Sequence, residues 1–424
     1  MSNKNSLLEC LNLNSDGSGT GYLNGKVTFV QGLLPGEIGE VQVYEAKKKW
    51  QRAKLLNIVQ RSPQRINAPC PVFEECGGCR LQHTTYRETL RWKQIWVENA
   101  LKRIGKVFTE VNPTIGMSVP WRYRNKARLH RKPGGKLGYY QEKSNSLVSF
   151  SDCLLLSERM NRWIRLVQEL LADGFPEIKT LTFRENTKGE GLLLLEGLTS
   201  QVFLRKQNPK FAVLAGEGLR SVWGGDSRDR LELLWGDDMF SQTILHLTFQ
   251  VSPGSFLQVN SRQTDVLYTQ VLDWANLSGE EIVWDLYSGI GTLTLALASK
   301  AKKVTGIEEN PFAVEDAIQN AIRNNISNRV EFLKGKVETQ MLKLTKKPDL
   351  VVLDPPRAGL HPLAGQRLLE IKPQRIIYVS CDPGTLARDL GILTRGGYRV
   401  ECVQPLDMFP WTEHVETIIL LQRL

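Results

Sequence analysis

The chain of 424 residues has no apolar run long enough to cross a bilayer and no N-terminal secretory pattern. No membrane association and a cytoplasmic location are expected, and disulfides are not expected among its seven cysteines. No internal repeat or low-complexity tract interrupts it, so its length fits two to three globular domains. The dinucleotide fingerprint is incomplete: Gly289-Ile290-Gly291 is followed by Thr292-Leu293-Thr294, and the third glycine is missing. A dinucleotide oxidoreductase is therefore the weaker reading.

What is present concentrates at the ends of apolar runs in the C-terminal part. Ile376-Ile377-Tyr378-Val379 reads as a buried parallel strand, and Pro383-Gly384 break it before a helical pattern begins. Cys381 then sits at the carboxyl end of a central strand, where open α/β sheets place their ligands. A thiol just before a helix N-terminus is expected to have its thiolate favoured by the amide dipoles. The preceding strand, Leu350-Val351-Val352-Leu353, ends in Asp354-Pro355-Pro356-Arg357, whose prolines fix a rigid exit. Upstream, Ile282-Val283-Trp284-Asp285 runs into a glycine turn, and Glu308 follows Gly289 at the spacing that puts a carboxylate on ribose hydroxyls.

Strand-like runs at 281–285, 303–307, 329–333, 349–353, 375–379, 398–403 and 415–421 alternate with helical segments, and the last two lack a long helix between them. This pattern predicts a C-terminal α/β Rossmann-like methyltransferase fold with a seven-stranded sheet and one antiparallel edge strand. Together, Phe256-Leu257-Gln258-Val259-Asn260, Asp285 to Thr292, Asp354-Pro355-Pro356-Arg357, Ser380-Cys381-Asp382-Pro383 and Phe409-Pro410-Trp411-Thr412 to Glu416 resemble the RNA (uracil-5-)-methyltransferase family, in particular its ribosomal RNA members. The resemblance implies S-adenosylmethionine as methyl donor, Cys381 as nucleophile and Glu416 as base, with Gln258, Tyr287, Glu308 and Asp354 on the cofactor. Two positions depart from the family pattern: Ser288 replaces a common cysteine, and Lys336 stands where members often carry an acid. His414, two residues from Glu416 and on the same face of a strand, is the alternative base.

Those residue types suit the chemistry. Carbon 5 of uracil becomes nucleophilic only after a thiolate adds to carbon 6, and a base must then remove the carbon 5 proton. An exocyclic-amine methyltransferase, which shares Asp354-Pro355-Pro356, would need an aromatic where Arg357 stands and would have no use for Cys381 or Glu416. A non-enzymatic iron–sulfur RNA-binding protein that merely keeps the fold is the third reading.

Cys70, Cys76 and Cys79 lie in one short loop, and Cys153 is the obvious fourth donor. Four thiolates can hold a 4Fe–4S cluster or zinc, although the x5 spacing with one distant partner fits zinc frameworks poorly. The resemblance covers these four cysteines and implies the cluster.

With 55 Lys and Arg against 45 Asp and Glu, the net charge of +10 favours a polyanionic partner, and RNA, most readily ribosomal RNA, is expected. Arg122, Arg124, Lys126 and Arg128 alternate with Trp121, Tyr123 and Ala127, which predicts a cationic strand face at a phosphate-tracking edge. Glycine-punctuated runs in 1–62 predict a small antiparallel barrel, and Val30-Gln31-Gly32-Leu33-Leu34-Pro35-Gly36-Glu37 resembles a TRAM domain. Lys47-Lys48-Lys49-Trp50-Gln51-Arg52 adds cations beside an aromatic able to stack on a base. The expected organisation is an RNA-binding TRAM-like barrel at 1–62, a central α+β domain carrying the iron–sulfur loop at 63–250, and the methyltransferase domain at 251–424, in a monomer.

Overall fold

The computed structural model describes residues 5–132, 134–172, 174–199, 210–227 and 230–424. Its first unit is a six-stranded sheet: β1 (Ser6–Glu9), β2 (Asn12–Leu13), β3 (Ser18–Leu23), β4 (Lys26–Gln31), β5 (Ile38–Ala46) and β6 (Trp50–Gln60), in the order β1-β5-β6-β4-β3-β2. Short β-branched runs closed by glycines at positive φ, Gly17, Gly25 and Gly32 among them, explain the tight turns. The expected all-antiparallel arrangement is corrected, since β4 pairs with β6 in parallel. Glu37, fully buried, accepts hydrogen bonds from the Leu34 and Ser62 amides and from the Arg65 guanidinium, so the turn is bolted to the segment that leaves the sheet. Those donors hold its carboxyl below the usual range against the opposing effect of burial.

The helix Tyr86–Ala100 leads into one π-turn at Leu101–Gly105. Beyond it, β7 (Lys126–Arg131), β8 (Leu137–Tyr140), β9 (Leu147–Ser149), β10 (Thr180–Glu185), β11 (Gly191–Glu196), β12 (Leu219–Ser227) and β13 (Arg230–Gly236) form a sheet ordered β13-β12-β11-β10-β7-β8-β9. β7 is therefore flanked on both sides, and the expected phosphate-tracking edge is not there. Residues 126–130 do alternate, with Ala127 and Leu129 buried, but Arg122 and Arg124 precede the strand. Their charges are committed elsewhere: Arg122 makes a paired contact with Asp152 and bonds two carbonyls, Arg124 bonds the Lys126 carbonyl, and Arg128 pairs with Glu196 at 2.8 Å. Trp50 is likewise covered, by the Arg52 guanidinium and the edge of Phe29.

After the hairpin β14 (Ser241–Ile244) and β15 (Leu247–Gln250) comes the last sheet: β16 (Ile282–Leu286), β17 (Lys303–Glu308), β18 (Val330–Lys334), β19 (Leu350–Leu353), β20 (Arg375–Ser380), β21 (Tyr398–Leu406) and β22 (Glu416–Arg423). Its order is β18-β17-β16-β19-β20-β22-β21, a Rossmann-like mixed sheet. Successive residues of its apolar strands face two different cores: Val283, Val352, Ile377 and Val379 belong to one, and Trp284, Val351, Ile376 and Tyr378 to the other. Helices on both faces require such unbroken apolar runs. One expectation is corrected. The antiparallel strand is not at the edge: β22 inserts between β20 and β21, and β21 takes the edge. The inserted strand, Thr417-Ile418-Ile419-Leu420-Leu421, is almost wholly buried, and an edge position would leave one of its hydrogen-bonding sides unpaired.

The π-turn docks the first helix onto the helix Pro383–Arg395 that follows Cys381. A Cβ on Gly105 would lie 2.5 Å from the Ala387 carbonyl oxygen, and one on Gly391 would lie 2.7 Å from that of Gly105. Only glycines permit this approach of two backbones.

Candidate active site

Four strand ends and one inserted strand supply the site. At the end of β16, Tyr287 (φ 69°), Gly289 (φ 55°) and Gly291 (φ 80°) carry the chain through left-handed backbone into the helix Thr292–Ala298. Glu308, closing β17, accepts the Gly289 amide at 3.0 Å on one oxygen and the Asn310 amide at 2.8 Å on the other. Its carboxylate thus holds the glycine turn while facing the cavity. Asp354 follows β19, and its amide donates to the Leu286 carbonyl. Cys381, half-buried, follows β20.

Glu416 opens β22 and is 2% exposed. Because Ser380 pairs with Thr417, the antiparallel register sets Cys381 opposite Glu416 across the β20–β22 ladder. The strand begins two residues later than the shared-face reading of His414 and Glu416 requires. His414 belongs to the preceding loop, edge-on to Phe409 and 3.4 Å from Arg357.

All six residues named from the sequence for catalysis and cofactor contact, Gln258, Tyr287, Glu308, Asp354, Cys381 and Glu416, line one cavity of about 1070 Å³. That volume is at the upper end of ordinary ligand sites and leaves room for a nucleoside-sized cofactor and a second base. Arg357 was assigned no role from the sequence, yet it lines the same cavity and opposes the upward shifts of Cys381 and Glu416. Its place after a strand-ending Asp-Pro-Pro was the available signal.

The electrostatics are those of crowded acids. Burial raises Asp354 to about 7. Burial, helped by Asp354 and Glu308 and opposed by the Thr294 hydroxyl, raises Asp285 to about 7. Glu416 is pushed well above the carboxylate range by burial first and by Asp354 second, with Arg357 opposing. Cys381 rises to about 11 through burial, Glu416 and Asp354. Burial and these two acids thus oppose the thiolate that the helix terminus was expected to favour; Asp382 caps that terminus, accepting the Thr385 amide at 2.8 Å. A cavity with this surplus of carboxyls is complementary to a cationic ligand, such as a sulfonium, which would favour the charged form of each acid.

Cys70, Cys76, Cys79 and Cys153 line a second, more apolar cavity of about 290 Å³ with Phe73, Tyr139 and Phe150. Burial pushes Cys79 up to about 12 and Cys153 up to about 11, and the neighbouring thiols add to both shifts. The Asn161 side chain fixes Cys153 by accepting its amide and donating to its carbonyl. Among the described residues, no group of three or more His, Cys, Asp or Glu side chains is arranged to hold a metal ion. The two cavities share a wall made of Arg357, Phe409 and His414. No helix among the described residues is long and apolar enough to cross a membrane.

Comparison with known proteins follows this geometry. Residues 237–424 match the family described as tRNA (uracil-5-)-methyltransferase, and residues 7–56 match the TRAM domain. An uncharacterized RNA methyltransferase from Halalkalibacterium halodurans is 39% identical, with 99% of this chain and 98% of that protein aligned. One from Listeria innocua is 38% identical over 96% and 95%. Among solved structures, the Pyrococcus abyssi tRNA (uracil-54, C5)-methyltransferase in complex with S-adenosyl-L-homocysteine superposes with a TM-score of 0.75 at 28% identity, covering 99% of this chain and all of that one.

Proposed function

Since the chain belongs to the RNA (uracil-5-)-methyltransferase family and is an S-adenosylmethionine-dependent enzyme with a TRAM domain, we propose that it methylates carbon 5 of a uridine in 23S ribosomal RNA through a covalent Cys381 adduct, with Glu416 as base. The observation that carries this reading is the register that sets Cys381 opposite Glu416, both lining one cavity.

The Cys381 thiol loses its proton to solvent, and the thiolate adds to carbon 6 of the uracil. The electrons of the 5,6 double bond move onto the carbon 4 carbonyl as an enolate. Carbon 5 then attacks the sulfonium methyl, and S-adenosylhomocysteine leaves with the sulfur–carbon electron pair. Glu416 takes the carbon 5 proton, the double bond re-forms and the thiolate departs. Gln258, Tyr287, Glu308 and Asp354 would hold the methyl donor, the pair Glu308 and Tyr287 from the first two strand ends and Asp354 beside the thiol. The first step is uphill because of the raised thiol pKa. The positive charge of the donor, arriving beside Asp354 and Glu416, offsets part of that cost.

Ribosomal RNA is chosen because the TRAM barrel combined with four cysteines resembles the ribosomal members. The Pyrococcus abyssi similarity supports a second reading, a transfer RNA uridine. Mapping 5-methyluridine by mass spectrometry in both RNAs, from cells with and without the gene, decides between them. Loss of the mark from 23S RNA alone is expected, and loss from transfer RNA alone sinks the ribosomal assignment.

The four-cysteine cavity is proposed to hold a 4Fe–4S cluster. A single ion draws its ligands to one point about 2.3 Å away, whereas a cubane needs four thiolates spread around a space. Four thiols spread around a 290 Å³ cavity are consistent with the second case. Such a cluster would serve structure and RNA positioning, since methyl transfer needs no electron. Protein purified without oxygen should be brown with stoichiometric iron and sulfide, and Ser at any of Cys70, Cys76, Cys79 or Cys153 should bleach it. Stoichiometric zinc without iron would reject the assignment.

A further inference from the structure

Phe409 and His414, two of the three residues in the wall shared by the two cavities, lie on the irregular loop from Asp407 to Val415, which joins β21 to β22 and delivers Glu416. Five consecutive carbonyls of this loop are held by donors from different elements. Gln263 donates to that of Asp407 at 3.1 Å, Asn260 to that of Met408 at 3.0 Å, Lys93 to that of Phe409 at 3.1 Å, and Tyr123 to that of Pro410 at 3.1 Å. The amides of Arg80 and Leu81 both reach the Trp411 carbonyl. Trp411 itself has φ of 68°, backbone that a bulky residue keeps only when its surroundings impose it.

One of these donors is charged. Lys93, on the helix Tyr86–Ala100, is fully buried, and its ammonium lies 2.5 Å from a carboxylate oxygen of Asp407, which is also fully buried. Tyr86, two turns earlier on the same helical face, donates its hydroxyl to the other Asp407 oxygen at 2.8 Å and accepts the Met117 amide at 2.9 Å. A buried ion pair is a poor way to gain stability, because desolvating both charges costs as much as their attraction returns. Its directional value is greater: ammonium, carboxylate and phenol fix one position of the loop relative to the helix. The same helix is locked through Gly105 and Gly391 to the helix that follows Cys381.

We propose that Lys93 and Asp407, steadied by Tyr86, are a positioning pair that sets Phe409, His414 and Glu416 in register with Cys381. The first helix then acts as a common jig for nucleophile and base, touching one through the glycine contact and the other through the ion pair. This inference rests on the covalent reading of Cys381 above. None of the three residues lines the catalytic cavity, so they act on the reaction only through the loop.

The test compares full-length Lys93→Met, Asp407→Leu, the double variant Lys93→Met/Asp407→Leu, and Tyr86→Phe. Measured for each are the thermal midpoint, S-adenosylhomocysteine affinity, the rate of covalent adduct formation with 5-fluorouridine RNA, and amide exchange across 407–415. The single charge deletions should lose stability, since each leaves one ion buried alone. The double variant should regain the wild-type midpoint and bind S-adenosylhomocysteine normally. Its adduct formation should nevertheless be about tenfold slower or more, with faster exchange in the loop, because pre-set geometry is worth that much in rate. A double variant with restored midpoint and wild-type adduct rate overturns the proposal. Should the double variant not fold, Tyr86→Phe decides: slowed adduct formation with unchanged cofactor affinity is expected, and a wild-type rate overturns the pair's role. If wild-type protein forms no adduct, the covalent mechanism fails. Loop exchange then judges the positioning pair on its own, and unchanged exchange in the variants overturns it.

Discussion

Cys381→Ala should abolish the RNA–protein adduct and lower turnover by about 10⁴-fold or more, the scale seen when a covalent nucleophile is deleted. S-adenosylmethionine affinity should stay within about threefold of wild type, under 1 kcal/mol. The thiol is half-buried in a large cavity, and its loss removes only a small side chain while the proposed cofactor contacts Gln258, Tyr287, Glu308 and Asp354 stay in place. The wild-type thiol carries its own signature. With its pKa pushed up to about 11, only about one thiol in 10⁴ is ionised at pH 7, so alkylation by iodoacetamide should be slow and should rise with pH up to about 11. A plateau near pH 8.5 would mean that burial and the neighbouring acids do not act on it. Continued methylation of carbon 5 by Cys381→Ala would rule out the covalent mechanism.

Glu416→Gln separates addition from elimination. The amide keeps the shape of the buried side chain but cannot take the carbon 5 proton, so turnover should fall by about 10²–10⁴. Thiolate addition and methyl transfer remain possible, and a denaturation-resistant adduct bearing the methyl group should accumulate. A second effect has the opposite sign. Glu416 is one of the groups that raise the Cys381 pKa, and it does so only once ionised, so Glu416→Gln should speed alkylation in the alkaline range, above the raised Glu416 pKa, while turnover falls. Gel mobility of the RNA–protein adduct and the pH profile of alkylation read the two effects independently. Normal turnover in Glu416→Gln would pass the base role to His414, which lines the same cavity with its pKa lowered by burial.

Much of this site was legible because its residues stand at strand ends. Apolar runs such as Ile376-Ile377-Tyr378-Val379 admit little other than a strand buried on both faces, and the residue after such a strand falls at the sheet's ligand edge. Glycine and proline mark the turns that follow, so Gly289, Gly291 and Pro355-Pro356 announced the cavity in one dimension. The basic residues at 122–128 were misread because period-two alternation gives a side chain's face but not the neighbours of its strand. Asp152 and Glu196, which take Arg122 and Arg128, come from distant parts of the chain. The local pattern could show the helix terminus beside Cys381 but not the opposing burial, Glu416 and Asp354, which reach the thiol only through the fold.

Lys93 illustrates what composition hides. In Arg91-Trp92-Lys93-Gln94 it reads as one more solvated cation, and only its partner 314 residues later makes it a buried one. The sequence by itself determined the strands, the turn residues and the kinds of chemistry at their ends, because those depend on local sterics and hydrophobic period. The tertiary structure alone decided that β22 enters antiparallel between β20 and β21. Ladder pairing is a long-range choice, made by burying Ile418, Ile419 and Leu421 in the two cores, and its register brings Glu416 to Cys381.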